Sequence, residues 1–101
     1  MPDLLVEVAT SSLARIFAER DGLSHLQMRM RGKTVTVFSE DEHGEVLHVR
    51  FRRLDRALWT VDFPTHRGKW EKTPFQGAIE ELATQVIDEF GWTLAAQDAP
   101  S

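Results

Sequence analysis

The sequence predicts an α+β domain, a five-stranded antiparallel meander with N- and C-terminal helices packed on one face, in the order α-β-β-β-β-β-α. Three observations predict it. The apolar residues recur at helical spacing near both ends and at period two in the middle. The joints between the alternating stretches are short and rich in turn formers, which favours antiparallel neighbours because a parallel pair needs a long crossover. Each terminal stretch carries one apolar stripe, and two such stripes need a common surface to bury them.

The first helix is expected from Asp3 to Arg20, with Leu5, Val8, Ser12, Leu13, Ile16 and Phe17 as its inward stripe. Pro2 and Asp3 suit a helix start. Gly22 stands where a left-handed residue ends a helix, with Leu23 able to pack back. In HLQMRMR, Leu26, Met28 and Met30 alternate with polar residues; in KTVTVFS, Val35 and Val37 do; in EVLHVRFRR, Leu47, Val49 and Phe51; and in ALWTVDF, Trp59, Val61 and Phe63. A short fifth strand over residues 69–73 carries Trp70. Trp59 and Trp70 flank a turn and are both expected in the core. The closing helix has its stripe at Ile79, Leu82, Ala83, Val86, Ile87 and Phe90. Its start is open between a capping box at Thr73-Pro74-Phe75-Gln76 and a cap at Gly77 with Glu80 three residues on. Gly91 and Trp92 repeat the stop seen at Gly22. Residues 1–94 form one domain, and residues 95–101 a flexible tail.

Composition narrows the function classes. A chain of 101 residues with 42% apolar and 28% charged residues fits one soluble domain. The absence of cysteine removes thiolate chemistry and disulfides. No basic leader and no long apolar run is present, so a cytoplasmic protein without a membrane role is expected. The formal charge of -4 lacks the strong positive field of a nucleic-acid binder. That charge is uneven: the ends are acidic, while residues 26–75 hold ten basic groups against seven acidic.

Catalytic and metal motifs are weak. Asp62 and His66 have the spacing of neither a nucleophile elbow nor a zinc helix, and His66 reads as a turn histidine. The acidic EDEHGE run, with His43 and nearby His48, matches no calcium loop and reads as a solvated turn. RGK is a turn, not a phosphate loop. No catalytic residue, metal ligand or cofactor is therefore assigned, and a non-enzymatic role is expected.

What remains is the outer sheet face. Alternation leaves Arg29, Arg31, Phe38, His48, Arg50, Arg52 and Leu58 on it, and these are the candidate binding residues. Arginine and aromatics on an open sheet suit a protein interface. The expected role is an interaction module or a small subunit of a bacterial complex, binding a protein or a second copy as a homodimer. The alternative is a nucleic-acid-binding accessory domain using the same face.

The stretches MRMRGKTVTVFSE, HVRFRRL and LWTVDFPTHRGKW, set between two helices, resemble a group of small bacterial domains of unknown function. The resemblance covers roughly residues 26 to 92 and implies the architecture above. It implies no activity and no site residues.

Overall fold

The computed structural model describes residues 4–20, 25–65 and 67–90. Its elements are α1 (Leu4–Ala18), β1 (Gln27–Arg31), β2 (Thr34–Asp41), β3 (Gly44–Arg53), β4 (Trp59–Pro64), β5 (Trp70–Gly77) and α2 (Ile79–Phe90). The strands form one antiparallel sheet in the order β1-β2-β3-β4-β5. The α-β5-α architecture is the one the residue periodicities predict. The helix ends at Gly22 and Gly91, Trp92, His66 and the tail lie outside the described residues.

The joints follow from their residues. Arg31 pairs with Thr34 across a two-residue turn, where Gly32 takes φ +58°, a left-handed conformation. Asp41 pairs with Gly44 across Glu42-His43, and Gly44 sits at φ +118°, a region that side chains avoid. The β4–β5 loop is held by Thr65, whose hydroxyl accepts the amides of Arg67 and Lys69.

Both helices cover the same face. The core joins Val6, Ala9, Leu13 and Phe17 of α1 to Val35, Val37, Val49, Phe51, Trp59 and Val61 of the sheet and Leu82, Ala83 and Val86 of α2. Phe90 closes one border of it, 5.2 Å from Phe63 and 5.5 Å from Phe75 between ring centroids.

Four expectations are corrected here. First, α1 is rotated. Its inward stripe is Val6, Ala9, Leu13 and Phe17, while Leu5 is 45% exposed and Val8 64%. The first helical turns are apolar nearly all round, so spacing alone admits both stripes. The observed one presents small Ala9, which lets α1 sit close to its neighbours.

Second, β5 is longer than expected and α2 starts later. Thr73, Pro74, Phe75 and Gln76 are strand, not a capping box. The pairs Thr60↔Gln76 and Asp62↔Lys72 leave two extra residues on β5, and Pro74 falls in that irregular stretch. A proline is tolerated there because the strand is an edge and the ladder is already broken. Hydroxyls replace the lost ladder bonds: Thr60 Oγ1 donates to the Phe75 carbonyl at 2.7 Å, and Thr73 Oγ1 to that of Val61 at 2.8 Å. Ala78, whose carbonyl accepts the Leu82 amide, holds the cap position, one residue after Gly77. The absent side chain of Gly77 leaves room for the Glu81 carboxylate, 3.3 Å from where a Cβ would lie.

Third, Trp59 is core, but Trp70 is not. Trp70 pairs with Pro64, which alternates with Phe63 and so belongs to the outer face. Fourth, a bulge between Val37 and Phe38 shifts the β2–β3 register: Val37 pairs with Val49, but Phe38 pairs with Leu47. His48 is the residue left over, and Leu47 moves from the expected core to the outer face.

Candidate functional site

The outer face is built on β1, β2 and β3, with Trp70 at its far border. A groove of about 350 Å³ runs across it, lined by Arg29, Arg31, Thr34, Thr36, Glu45, Leu47, Arg50 and Trp70. Its floor is low because Thr34 and Thr36 are short side chains, and its walls are long ones.

Three of the four arginines on this face are already held by carboxylates, although Arg50 and Arg52 share one between them. Arg29 makes a two-pronged bond to Glu45, with Nη1 at 2.9 Å from Oε2 and Nη2 at 2.6 Å from Oε1. This hydrogen bond, more than the bare charges, holds Arg29 above and Glu45 below their ordinary values. The Arg29 guanidinium also lies over the Phe38 ring, 4.6 Å from its centroid.

Asp62 is enclosed, with its side chain 0% exposed. Arg50 donates to Oδ2 from Nε at 3.0 Å and from Nη2 at 2.8 Å. Arg52 donates to Oδ2 from Nε and to Oδ1 from Nη2, each at 3.2 Å. Burial pushes the Asp62 pKa up, but the hydrogen bonds from Arg52 and Arg50, with their charges, outweigh it and hold the group below its ordinary value. Arg50 lies over the Trp70 ring, 4.6 Å from the centroid, and so becomes one wall of the groove.

Arg31 is different. It is exposed at the end of β1, and among the described residues no carboxylate bonds it. Its backbone is held instead: the Thr34 hydroxyl donates to the Arg31 carbonyl at 2.7 Å and fixes the turn below the side chain.

The candidate binding residues therefore separate. Arg29, Arg31 and Arg50 line the groove. Arg52 is fastened to Asp62 beside it. Phe38 is only 8% exposed, under Arg29. Leu58 stands in the β3–β4 loop, where its carbonyl accepts the amides of Leu54 and Asp55. His48 was expected on this surface and is not there. It is buried, with Nε2 2.7 Å from Ser39 Oγ and its ring edge-on to His25 at 6.0 Å. The bulge is the physical reason, since it turns the extra residue inward. Sequence reasoning missed Glu45, Leu47 and Trp70 as groove residues.

Chemically, the groove offers guanidinium, carboxylate, hydroxyl, aliphatic and indole groups. Among the described residues no group of three metal-ligating side chains occurs. His43 meets only Glu42, at 3.6 Å, and both are exposed. No helix among the described residues is long and apolar enough to cross a membrane. Fold and site together define a small α+β domain with an open, grooved sheet. Compared with protein families, curated proteins and solved structures, the chain matches none.

Proposed function

We propose that this domain is a non-enzymatic cytoplasmic interaction module, a small subunit that docks a protein partner on the outer face of its sheet. The observation that carries this reading is the solvent-open groove whose walls are the Trp70–Arg50 stack and Arg31, which no carboxylate among the described residues bonds. Arginine and tryptophan are the side chains most often central to protein interfaces, because each combines a large flat contact area with polar donors. A second copy of the chain is one candidate partner.

The placement of Trp70 also favours a nucleic-acid reading, in which bases stack on the ring. Against it, the ionic forks of Arg29, Arg50 and Arg52 already hold carboxylates.

Affinity capture from native cells tests the proposal, with wild type beside Arg31→Glu, Trp70→Ala and the helix-side control Val8→Ser. A protein retained by wild type and the control but lost from both outer-face variants supports docking there. Retention by all four, or by none, overturns it. For self-association, sedimentation across dilution should give a mass that falls to monomer in Arg31→Glu.

A further inference from the structure

We infer that the groove takes a peptide segment presenting one carboxylate next to one apolar side chain, the carboxylate on Arg31 and the apolar group between Leu47 and Trp70. The inference rests on the outer face being a docking surface and names what docks.

Three features of the groove select this ligand. The first is how the charge is distributed. Arg29 spends its two-pronged edge on Glu45, and Arg50 and Arg52 spend theirs on the single carboxylate of Asp62. Of the groove's three arginines, Arg31 alone among the described residues makes no bond to a carboxylate, so its fork is the one open to an incoming anionic group. A phosphate backbone, with a charge on every residue, is poorly matched.

The second is the apolar lining. Leu47 reaches the groove only because the bulge turns it outward, and Trp70 only because the β4–β5 loop pairs it with Pro64. Both face the same volume as Arg31. Covering them with an apolar side chain removes apolar surface from water, which a free anion cannot do.

The third is polarity along the groove. Glu45 lies in the lining with Arg31 but is joined to β3 near its start, whereas Arg31 ends β1 at the opposite end of the sheet. A carboxylate is drawn to the open fork of Arg31, whereas at the other end Glu45 and Arg29 are closed on each other and offer an anion no open fork, which gives a bound segment one preferred direction.

The test uses the whole chain, isotope-labelled, and two probes. One is a set of short capped peptides carrying one leucine and one glutamate at varied spacing among glycine and serine. The other is a single-stranded oligo-dT. The readouts are the Trp70 indole resonance, assigned by Trp70→Phe, and the Arg31 amide.

The expected result is that at least one peptide spacing moves both signals. Replacing its glutamate by glutamine then weakens binding about fivefold, as for one exposed ion pair. In Arg31→Gln the two peptides bind alike, and affinity for the acidic peptide falls only weakly with salt. Peptides that bind equally with glutamate or glutamine overturn the ligand class but leave the docking surface standing. Shifts with oligo-dT alone, falling steeply with salt, overturn both in favour of nucleic acid. No shift from either probe at millimolar concentration also overturns both.

Discussion

Arg50 and Asp62 stand directly opposite each other on β3 and β4, and their 2.8 Å bond is anchored on a carboxylate that water does not reach. Arg52 binds the same carboxylate diagonally. Replacing Asp62 by alanine leaves two arginines facing each other with no anion between them. Because both arginines remain partly exposed, 23% and 27%, they regain some water. The expected loss is about 2 kcal/mol, below the range for a fully buried pair. Urea denaturation of wild type and Asp62→Ala measures it.

The same carboxylate gives acid sensitivity with a definite sign. Its folded pKa lies below the ordinary 3.8, so folding favours the ionised form. The resulting stability is fully present above about 4 and is lost as pH falls through the depressed folded value. Wild type should therefore lose more stability than Asp62→Asn when denaturation midpoints are compared at neutral pH and near pH 3. Parallel pH profiles would remove Asp62 as the cause.

The buried Ser39–His48 contact yields a second kind of prediction. Ser39→Ala takes away the hydroxyl 2.7 Å from Nε2 while leaving the ring inside. A buried polar atom deprived of its partner costs about 1–3 kcal/mol, so the midpoint should drop accordingly. Ser39→Thr, which keeps the hydroxyl, should recover part of it. Equal stability of wild type and Ser39→Ala would mean that water or a neighbour replaces the bond.

How far the sequence could reach is visible at this bulge. Alternation alone gives the strands, the meander and the shared helix face, because period two and period 3.6 are imposed by backbone geometry. It cannot carry register across a hairpin by itself. The core pairs Val35↔Phe51 and Val37↔Val49 require one register, while the tight turn at Glu42-His43 requires another, one residue out. Some residue had to be surplus, and the turn length was the overlooked signal that could have said so. Trp70 was misplaced for a similar reason: a five-residue loop, not the ring's apolarity, decides which face it joins. The outer arginines were legible as a group. Their pairing was not, because Arg29 reaches Glu45 from two strands away.

The two tryptophans should respond differently to truncation. Trp59 is 3% exposed in the core, so Trp59→Ala should cost about 3–5 kcal/mol and can unfold the chain. Trp70→Ala removes a half-buried ring that rests on Arg50 and should cost no more than about 1.5 kcal/mol. Thermal melts of the two variants make the comparison. A Trp70 variant as unstable as the Trp59 variant would return Trp70 to the core.

The rotation of α1 can be checked with two valines one helical flank apart. Val6 is 1% exposed and lies in the core cluster, whereas Val8 is 64% exposed. Val6→Ser puts a hydroxyl into the core cluster without a partner, as well as removing buried methyls. A loss of about 2–3 kcal/mol is expected. Val8→Ser exchanges an exposed apolar side chain for a polar one and should change stability by less than about 0.5 kcal/mol. The stripe expected from spacing alone, which counted Val8 as inward, predicts the reverse order. Denaturation midpoints of the two serine variants decide between the two orientations, because positions 6 and 8 lie about 200° apart around a helix and cannot both point at the core.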